Sequence, residues 1–134
     1  MPLKGNSTSG AVTRKRVEDY ITAREKVAEV ALDDAAATLT AAQLLESKLF
    51  TQTPTAARTL TTATAALIVA ALTDEVEGTS FEFTIVNKAS ATHAITLAGG
   101  TDVTIVGSAS VAAATSGSFV GVVQSDNTVK VYRK

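Results

Sequence analysis

The chain has 134 residues, a formal net charge of −1, no cysteine and one histidine. A chain of this length typically forms one compact domain. The absence of cysteine excludes a disulfide framework, a thiolate nucleophile and a cysteine-based zinc site, and a single histidine excludes a two-histidine metal site. The balanced charge argues against nucleic-acid binding, because neutralising phosphates requires basic residues concentrated on one face.

Small and β-branched residues dominate the composition. The chain contains 24 Ala, 21 Thr and 15 Val, whereas aromatic residues make up 4%. Thr and Val favour strands, so we expect a mainly β protein whose Ala-rich core is supplemented by oligomerisation. No apolar run approaches the roughly 18 residues of a membrane span, and residues 1–10 lack the apolar segment of a secretory signal. We therefore expect a soluble protein without a membrane partner.

Residues 1–37 are predicted to form an N-terminal arm, extended over 1–12 and helical over 13–37. Thr13 is a suitable N-cap, and helix-forming residues follow it without Gly or Pro. Apolar residues at spacings of three and four form a stripe along this helix. The stripe consists of Val17, Tyr20, Ile21, Val27, Ala28, Val30, Ala31 and Leu32. It is expected either to pack on the chain's own β domain or to contact another chain.

Basic residues in this arm are the candidate contact residues for a partner. Lys4 lies in the extended part, and Arg14, Lys15 and Arg16 begin the predicted helix. Cations at a helix N-terminus oppose the helix macrodipole, and an acidic partner surface would relieve that conflict. A solvated basic turn is the alternative interpretation.

Residues 38–134 are predicted to form a separate β domain with short embedded helices. Thr40 is placed to cap a helical turn over residues 41–46, and Thr62 is placed to cap a helix over residues 63–72. That second helix is apolar all round, so we expect it to be buried.

Asp33 and Asp34 are interpreted as a solvated helix end, and residues 73–78 as an acidic turn.

Short strands follow at spacings of about 8 to 14 residues, which indicates a β-sandwich or a jelly-roll-like barrel. They are predicted over residues 81–87, 94–98, 103–106, 118–124 and 128–133, with the last two joined by a hairpin at 125–127. Alternation predicts which side chains face the core. These are Phe81, Phe83, Ile85, Ile95, Leu97, Val103, Ile105, Phe119 and Val131.

The residues that could carry chemistry are scattered. His93 lies in a polar loop without an orienting carboxylate nearby in sequence, so an exposed loop residue is favoured over a general base or ligand. Asp74, Glu75 and Glu77 lack the alternating ligands of a calcium loop. The Gly99–Gly100 pair lacks a phosphate-binding motif. We predict no catalytic, cofactor or metal site, and hence no enzyme.

Residues 38–134 resemble a β-sandwich domain found in structural proteins of tailed bacteriophages, including those of cyanophages. The resemblance begins in residues 40–45, 59–67 and 78–87, and it continues through residues 95–98, 103–107, 115–119 and 129–133. Where that domain is expected to have Leu-Pro-Thr, this chain has Leu60, Thr61 and Thr62. The arm lies outside the matched region.

The resemblance implies a capsid decoration, or cement, protein without catalytic activity. Such a protein would bind the major capsid protein on the outer surface of the virion as a homotrimer and stabilise the head. The arm, with Lys4, Arg14, Lys15 and Arg16, would then contact the capsid. The alternative is a head-fibre, tail or adsorption protein with a receptor- or glycan-binding sandwich. The absence of Trp disfavours glycan binding, which usually stacks aromatic rings on sugars.

Overall fold

The computed structural model describes residues 27–72 and 78–134, and within these ranges the protein is mainly β. The ten strands are β1 (Ala28–Leu32), β2 (Ala37–Leu39), β3 (Lys48–Gln52), β4 (Arg58–Thr62), β5 (Ser80–Asn87), β6 (Ile95–Ala98), β7 (Val103–Val106), β8 (Ser110–Val111), β9 (Ser116–Val123) and β10 (Val129–Arg133). A π-helical turn covers Gln43–Ser47, and a short helix, α1, covers Ala65–Ala71.

The strands form two sheets. One has six strands in the order β1-β3-β5-β9-β10-β7, and the other has four in the order β2-β4-β6-β8. The first six strands alternate between the sheets, and neighbours among them run parallel, so the chain winds repeatedly from one sheet to the other. Strand β9 then lies antiparallel to β5 and forms a hairpin with β10.

The expected mainly β architecture is confirmed, but the pairings differ from those of a jelly roll. A jelly roll is built from Greek keys, whose neighbouring strands are antiparallel. Here five of the eight strand pairs are parallel. After each of the strands β1 to β4, the chain crosses to the opposite sheet, and it then returns to form the next strand of the sheet that it left. Two neighbouring strands of one sheet therefore run in the same direction.

One apolar core lies between the sheets, and Phe83 is at its centre. Its ring stacks on Phe119 at a centroid distance of 5.3 Å and on Phe81 at 6.2 Å, and it meets Phe50 edge-on at 6.1 Å. The predicted inward positions are confirmed: Phe81, Phe83, Ile85, Ile95, Leu97, Val103, Phe119 and Val131 are buried, and Ile105 is partly buried against them.

The prediction that the N-terminal helix extends to residue 37 is wrong. Residues 28–32 form β1, which pairs in parallel with β3, and Ala37 begins β2. Val30 and Leu32 pack against the core from alternate positions, and this long-range pairing outweighs the helix propensity of the local sequence. Strand β1 lies before residue 38, where the β domain was expected to begin. Residues 13–26 of the predicted helix are outside the described residues.

The predicted cap at Thr40 is confirmed. The Thr40 backbone N–H donates to Gln43 Oε1 at 3.0 Å, and the Gln43 backbone N–H donates to Thr40 Oγ1 at 3.2 Å. This reciprocal pair is a capping box. It starts a helical turn that becomes π-helical at Gln43 and ends at Lys48, whose backbone is left-handed with φ of 65°.

The second helix is shorter and more exposed than predicted. Helix α1 is capped by Thr64, whose Oγ1 accepts from the Leu67 backbone N–H, and not by Thr62. The Thr62 hydroxyl is buried and accepts from the Gly100 backbone N–H instead. Leu67 is 59% exposed, so only one face of α1 is covered. The burial prediction was wrong because all-round apolarity does not specify how many neighbours a helix has.

The hairpin predicted between the last two strands is confirmed. The Gln124 backbone N–H donates to Thr128 O at 2.8 Å, and Asn127 adopts a left-handed φ of 62°. A three-residue loop that ends in a left-handed residue matches the right-handed twist of a hairpin, and Asn tolerates that conformation better than most residues.

Candidate interaction surface

The predicted capsid-contact residues Lys4, Arg14, Lys15 and Arg16 lie outside the described residues, and so do Asp74, Glu75 and Glu77. Their roles remain predictions.

Within residues 27–72 and 78–134, no group of three or more His, Asp and Glu side chains is placed to hold a metal ion. In the same part of the chain, no helix has the length and apolarity needed to cross a membrane.

His93 lies in the loop between β5 and β6, as its sequence context predicted, but it is half-buried and not exposed. Its backbone N–H donates to Ala91 O at 2.7 Å, and its backbone oxygen accepts from Asn87 Nδ2 at 2.8 Å. These bonds hold the backbone of the loop against the end of β5.

Asp34 occupies the turn between β1 and β2, and its prediction as a helix end was wrong. One carboxylate oxygen accepts from Arg58 Nε at 2.8 Å and from the Thr55 backbone N–H at 3.1 Å, and the other accepts from Thr55 Oγ1 at 2.5 Å. The Arg58 hydrogen bond, followed by those from Thr55, holds the Asp34 pKa well below its ordinary value of 3.8. Asp34 therefore ties one crossover of the chain to the next.

The outer face of the six-stranded sheet carries several apolar side chains among its polar ones. Along β9, the alternate residues Gly117, Phe119, Gly121 and Val123 face the core, so Val120 and Val122 face outward. An exposed sheet face normally alternates with polar residues. Here the outward positions include the half-buried or exposed apolar residues Leu49, Val86, Val106, Val120, Val122 and Tyr132.

Three of these residues form a continuous row, which we call the β9–β10–β7 stripe. Val120 pairs with Tyr132 across β9 and β10, and Tyr132 pairs with Val106 across β10 and β7. Directly paired side chains on one face of a sheet lie about 5 Å apart. Because β7 is an edge strand, the stripe extends to the border of the sheet, where Val106 is 38% exposed.

Three charged residues on this face have polar partners. Glu82, which pairs in register with Val120, forms an ion pair with Lys134. The hydrogen bond from Lys134 lowers the pKa of Glu82. At the opposite border, Glu29 accepts a hydrogen bond from Thr51 Oγ1 at 2.5 Å. The face therefore offers a partner one apolar row, the β9–β10–β7 stripe, which is flanked by polar residues and by charges of both signs.

The sequence of β9 already indicated that this strand has apolar side chains on both faces, but the prediction of core residues did not take this into account. Residues 119–123 read Phe-Val-Gly-Val-Val, and a near-continuous apolar strand is typical of one that is covered on both faces. Only Phe119 was singled out from this run as a core residue.

No protein-family model, curated protein or solved structure matches the chain.

Proposed function

We propose that this chain is a structural virion protein that decorates the outer capsid surface of a tailed bacteriophage. As a homotrimer, it would bind the major capsid protein and stabilise the head. The observation that supports this role best is the apolar β9–β10–β7 stripe on the outer face of the six-stranded sheet, because it suits contact between proteins. The sequence resemblance of residues 38–134 to phage structural domains supplies the viral context.

A decoration protein acts through contact area and multiple attachment points. Three arms on one trimer bind with an avidity far above that of one arm, provided that all three reach their sites together. A ligand that binds only the assembled capsid stabilises that state by mass action. In this proposal the arm residues Lys4, Arg14, Lys15 and Arg16 contact the coat, and the two-sheet domain stands above it.

The arm contact can be tested in the full-length chain by reversing the basic triplet. Arg14→Glu, Lys15→Glu and Arg16→Glu together should remove most co-sedimentation with undecorated heads, because an acidic coat surface would repel them. Lys88→Glu, a change at an exposed loop position after β5, is the control and should leave binding intact. Undiminished binding of the triple variant would contradict the role assigned to the basic residues.

Host-cell binding separates capsid decoration from an adsorption role. The full-length protein should pellet with undecorated heads and not with host cells, and it should not bind an array of surface glycans. Specific retention on cells or glycans, with no binding to heads, would replace the decoration proposal with that of a head-fibre, tail or adsorption protein.

A further inference from the structure

We infer that residues 13–26 lie along the free edge of β1 and close one open end of the two-sheet domain. These residues directly precede β1, and they include Val17, Tyr20 and Ile21 of the apolar stripe predicted from the sequence. This placement goes beyond capsid decoration, because it assigns the apolar side of the segment to the chain's own domain. It leaves the basic triplet at residues 14–16 for the coat, so either proposal can fail without the other.

Strands β1 and β2 form the open end. They are edge strands of the two sheets, and they lie at the same end because the chain winds from one sheet to the other. Among the described residues, β1 pairs only with β3, and β2 pairs only with β4. At the opposite end the parallel winding stops at β5 and β6, whose next neighbours β9 and β8 are antiparallel. Free edge strands and the ends of stacked repeats are normally covered, which makes β1 and β2 the end that needs a cap.

The apolar core reaches this end without being fully covered. Val30 on β1 pairs with Phe50, and Phe50 pairs with Ile85. Phe50 and Ile85 are fully buried, whereas Val30 is partly exposed. In the other sheet Ala37 is partly exposed, although its partner Leu60 is fully buried. A segment that covers this end would therefore remove further apolar surface from water, which stabilises the folded state.

The sequence of β1 also indicates a contact along its free side. Ala28, Glu29, Ala31 and Leu32 are good helix formers, and only Val30 is β-branched. Pairing with β3 along one side holds this sequence in a strand. A second contact along the other side would stabilise the strand further against its local preference.

Residues 13–26 have the position and length that this contact requires. The segment ends two residues before Ala28, so it starts at the edge that it would cover. Residues 17–26 would measure about 15 Å as a helix, and the five residues of β1 span about 17 Å. Val17, Tyr20 and Ile21 are spaced by three and four, so in a helix they would share one face. That face could follow the edge of β1 without a long linker.

Charge favours this segment over a second copy at the same edge. Residues 27–39 contain three acidic residues, Glu29, Asp33 and Asp34, and no basic one. Two copies that paired through β1 would bring these acidic groups together, and like charges across an interface repel. Residues 13–26 contain five basic and three acidic residues, so they bring a net charge of +2 to the acidic edge.

Hydrogen exchange on the full-length protein tests whether the segment covers β1. Ile21→Asp should make the β1 amides exchange at least about tenfold faster, because burial of an isoleucine stabilises a contact by enough for such a change. Exchange in β5 should not change, which shows that the domain remains folded. Val17→Asp is a second variant in the stripe. Thr22→Asp adds the same charge outside the stripe, and this matched control should behave as wild type.

Three results would overturn the inference. Equal β1 exchange in wild type and in both stripe variants would show that the segment does not cover the edge. Protection of β1 that rises with protein concentration would assign the edge to a second copy. Protection that develops only when undecorated heads are added would assign it to the coat. If β1 is protected in the free protein and the protein does not pellet with heads, the inference stands and capsid decoration fails.

Discussion

Gln52 and Asn87 are direct cross-strand partners on β3 and β5, and each buries its amide where its strand leaves the six-stranded sheet. Gln52 Nε2 donates to the backbone oxygens of Asp33 and Ala35 at 2.7 and 2.9 Å, in the preceding crossover. Asp33 and Ala35 lie between β1 and β2, whereas Gln52 is the last residue of β3. The Gln52 side chain therefore fixes how the end of β3 packs against the segment that connects β1 to β2.

Asn87 fixes its own crossover in a similar way. Its Nδ2 donates to His93 O at 2.8 Å and to Val111 O at 3.0 Å, and its Oδ1 accepts from the Ala89 backbone N–H at 3.0 Å. The side chain thereby connects β5, the following loop and β8. Buried polar side chains that satisfy backbone groups in this way specify one arrangement of the chain over others.

Replacing either amide by Leu should destabilise the protein, and Asn87→Leu should cost more. Asn87→Leu removes three hydrogen bonds and leaves buried backbone groups unpaired, for an expected loss of about 3 kcal/mol. Gln52→Leu should cost about 2 kcal/mol, because it also removes Gln52 Oε1, a buried acceptor without a partner among the described residues. Urea unfolding of both variants measures the difference. Equal stability of Asn87→Leu and wild type would contradict the assigned role.

Phe83 should be the most sensitive position of the core. It contacts three other phenylalanine rings and is 2% exposed, so Phe83→Ala removes the shared partner of all three. We expect a loss of about 3–5 kcal/mol in the free energy of unfolding. Phe83→Leu, which fills more of the space, should lose clearly less. Thermal and urea unfolding would contradict this account if the two substitutions cost the same.

Gly121 is required by the ring of its cross-strand partner Phe81. A Cβ on Gly121 would lie 2.2 Å from Phe81 Cζ, far inside van der Waals contact. Gly121→Ala should therefore destabilise the protein by about 1–3 kcal/mol. Combining it with Phe81→Leu should cost less than the sum of the two single changes, because the smaller side chain makes room. Additive losses in this double-mutant cycle would show that the ring is not the obstacle.

The Asp34–Arg58 ion pair should make stability depend on pH in the acid range. The folded-state pKa of Asp34 lies well below its ordinary value of 3.8, so its stabilisation is present above that value and is lost as pH falls toward the folded pKa. The stability difference between wild type and Asp34→Asn should therefore be larger at about pH 6 than at about pH 3.

Asp33→Asn is the control for the loss of the ion pair. Within the described part of the chain, hydrogen bonds to Asp33 reach its backbone oxygen, from Ala35 and Gln52, and these survive the substitution. At about pH 6, Asp33→Asn should therefore cost less stability than Asp34→Asn. A stability difference between wild type and Asp34→Asn that is the same at about pH 6 and about pH 3 would contradict the proposed ion-pair contribution.

Local patterns in the sequence were sufficient for the strands that alternate clearly. Phe81, Phe83 and Ile85 on β5 alternate with polar or half-buried neighbours, and the predicted strand differs from the observed one by a single residue at its start. The hairpin that ends at Asn127 was predictable because its two strands are adjacent in the chain. In both cases the information lies within one strand or within two strands adjacent in the chain.

The features that were missed depend on contacts between distant segments. The sequence of β1 contains good helix formers, and only its parallel pairing with β3 makes it a strand. The exposure of Leu67 depends on what packs against α1. The outward position of Val120 could have been read from alternation with Phe119, but its neighbours Tyr132 and Val106 in the stripe follow only from the strand order.

The measurement that most directly tests the proposed role is a binding isotherm of the full-length protein on undecorated heads of the bacteriophage to which the proposal assigns it. Decoration predicts saturable co-sedimentation, a saturation ratio in multiples of three copies per site, and weakening as salt screens the basic arm. Protein that stays in the supernatant at every concentration, while the heads remain intact, would contradict the claim that this chain decorates the capsid.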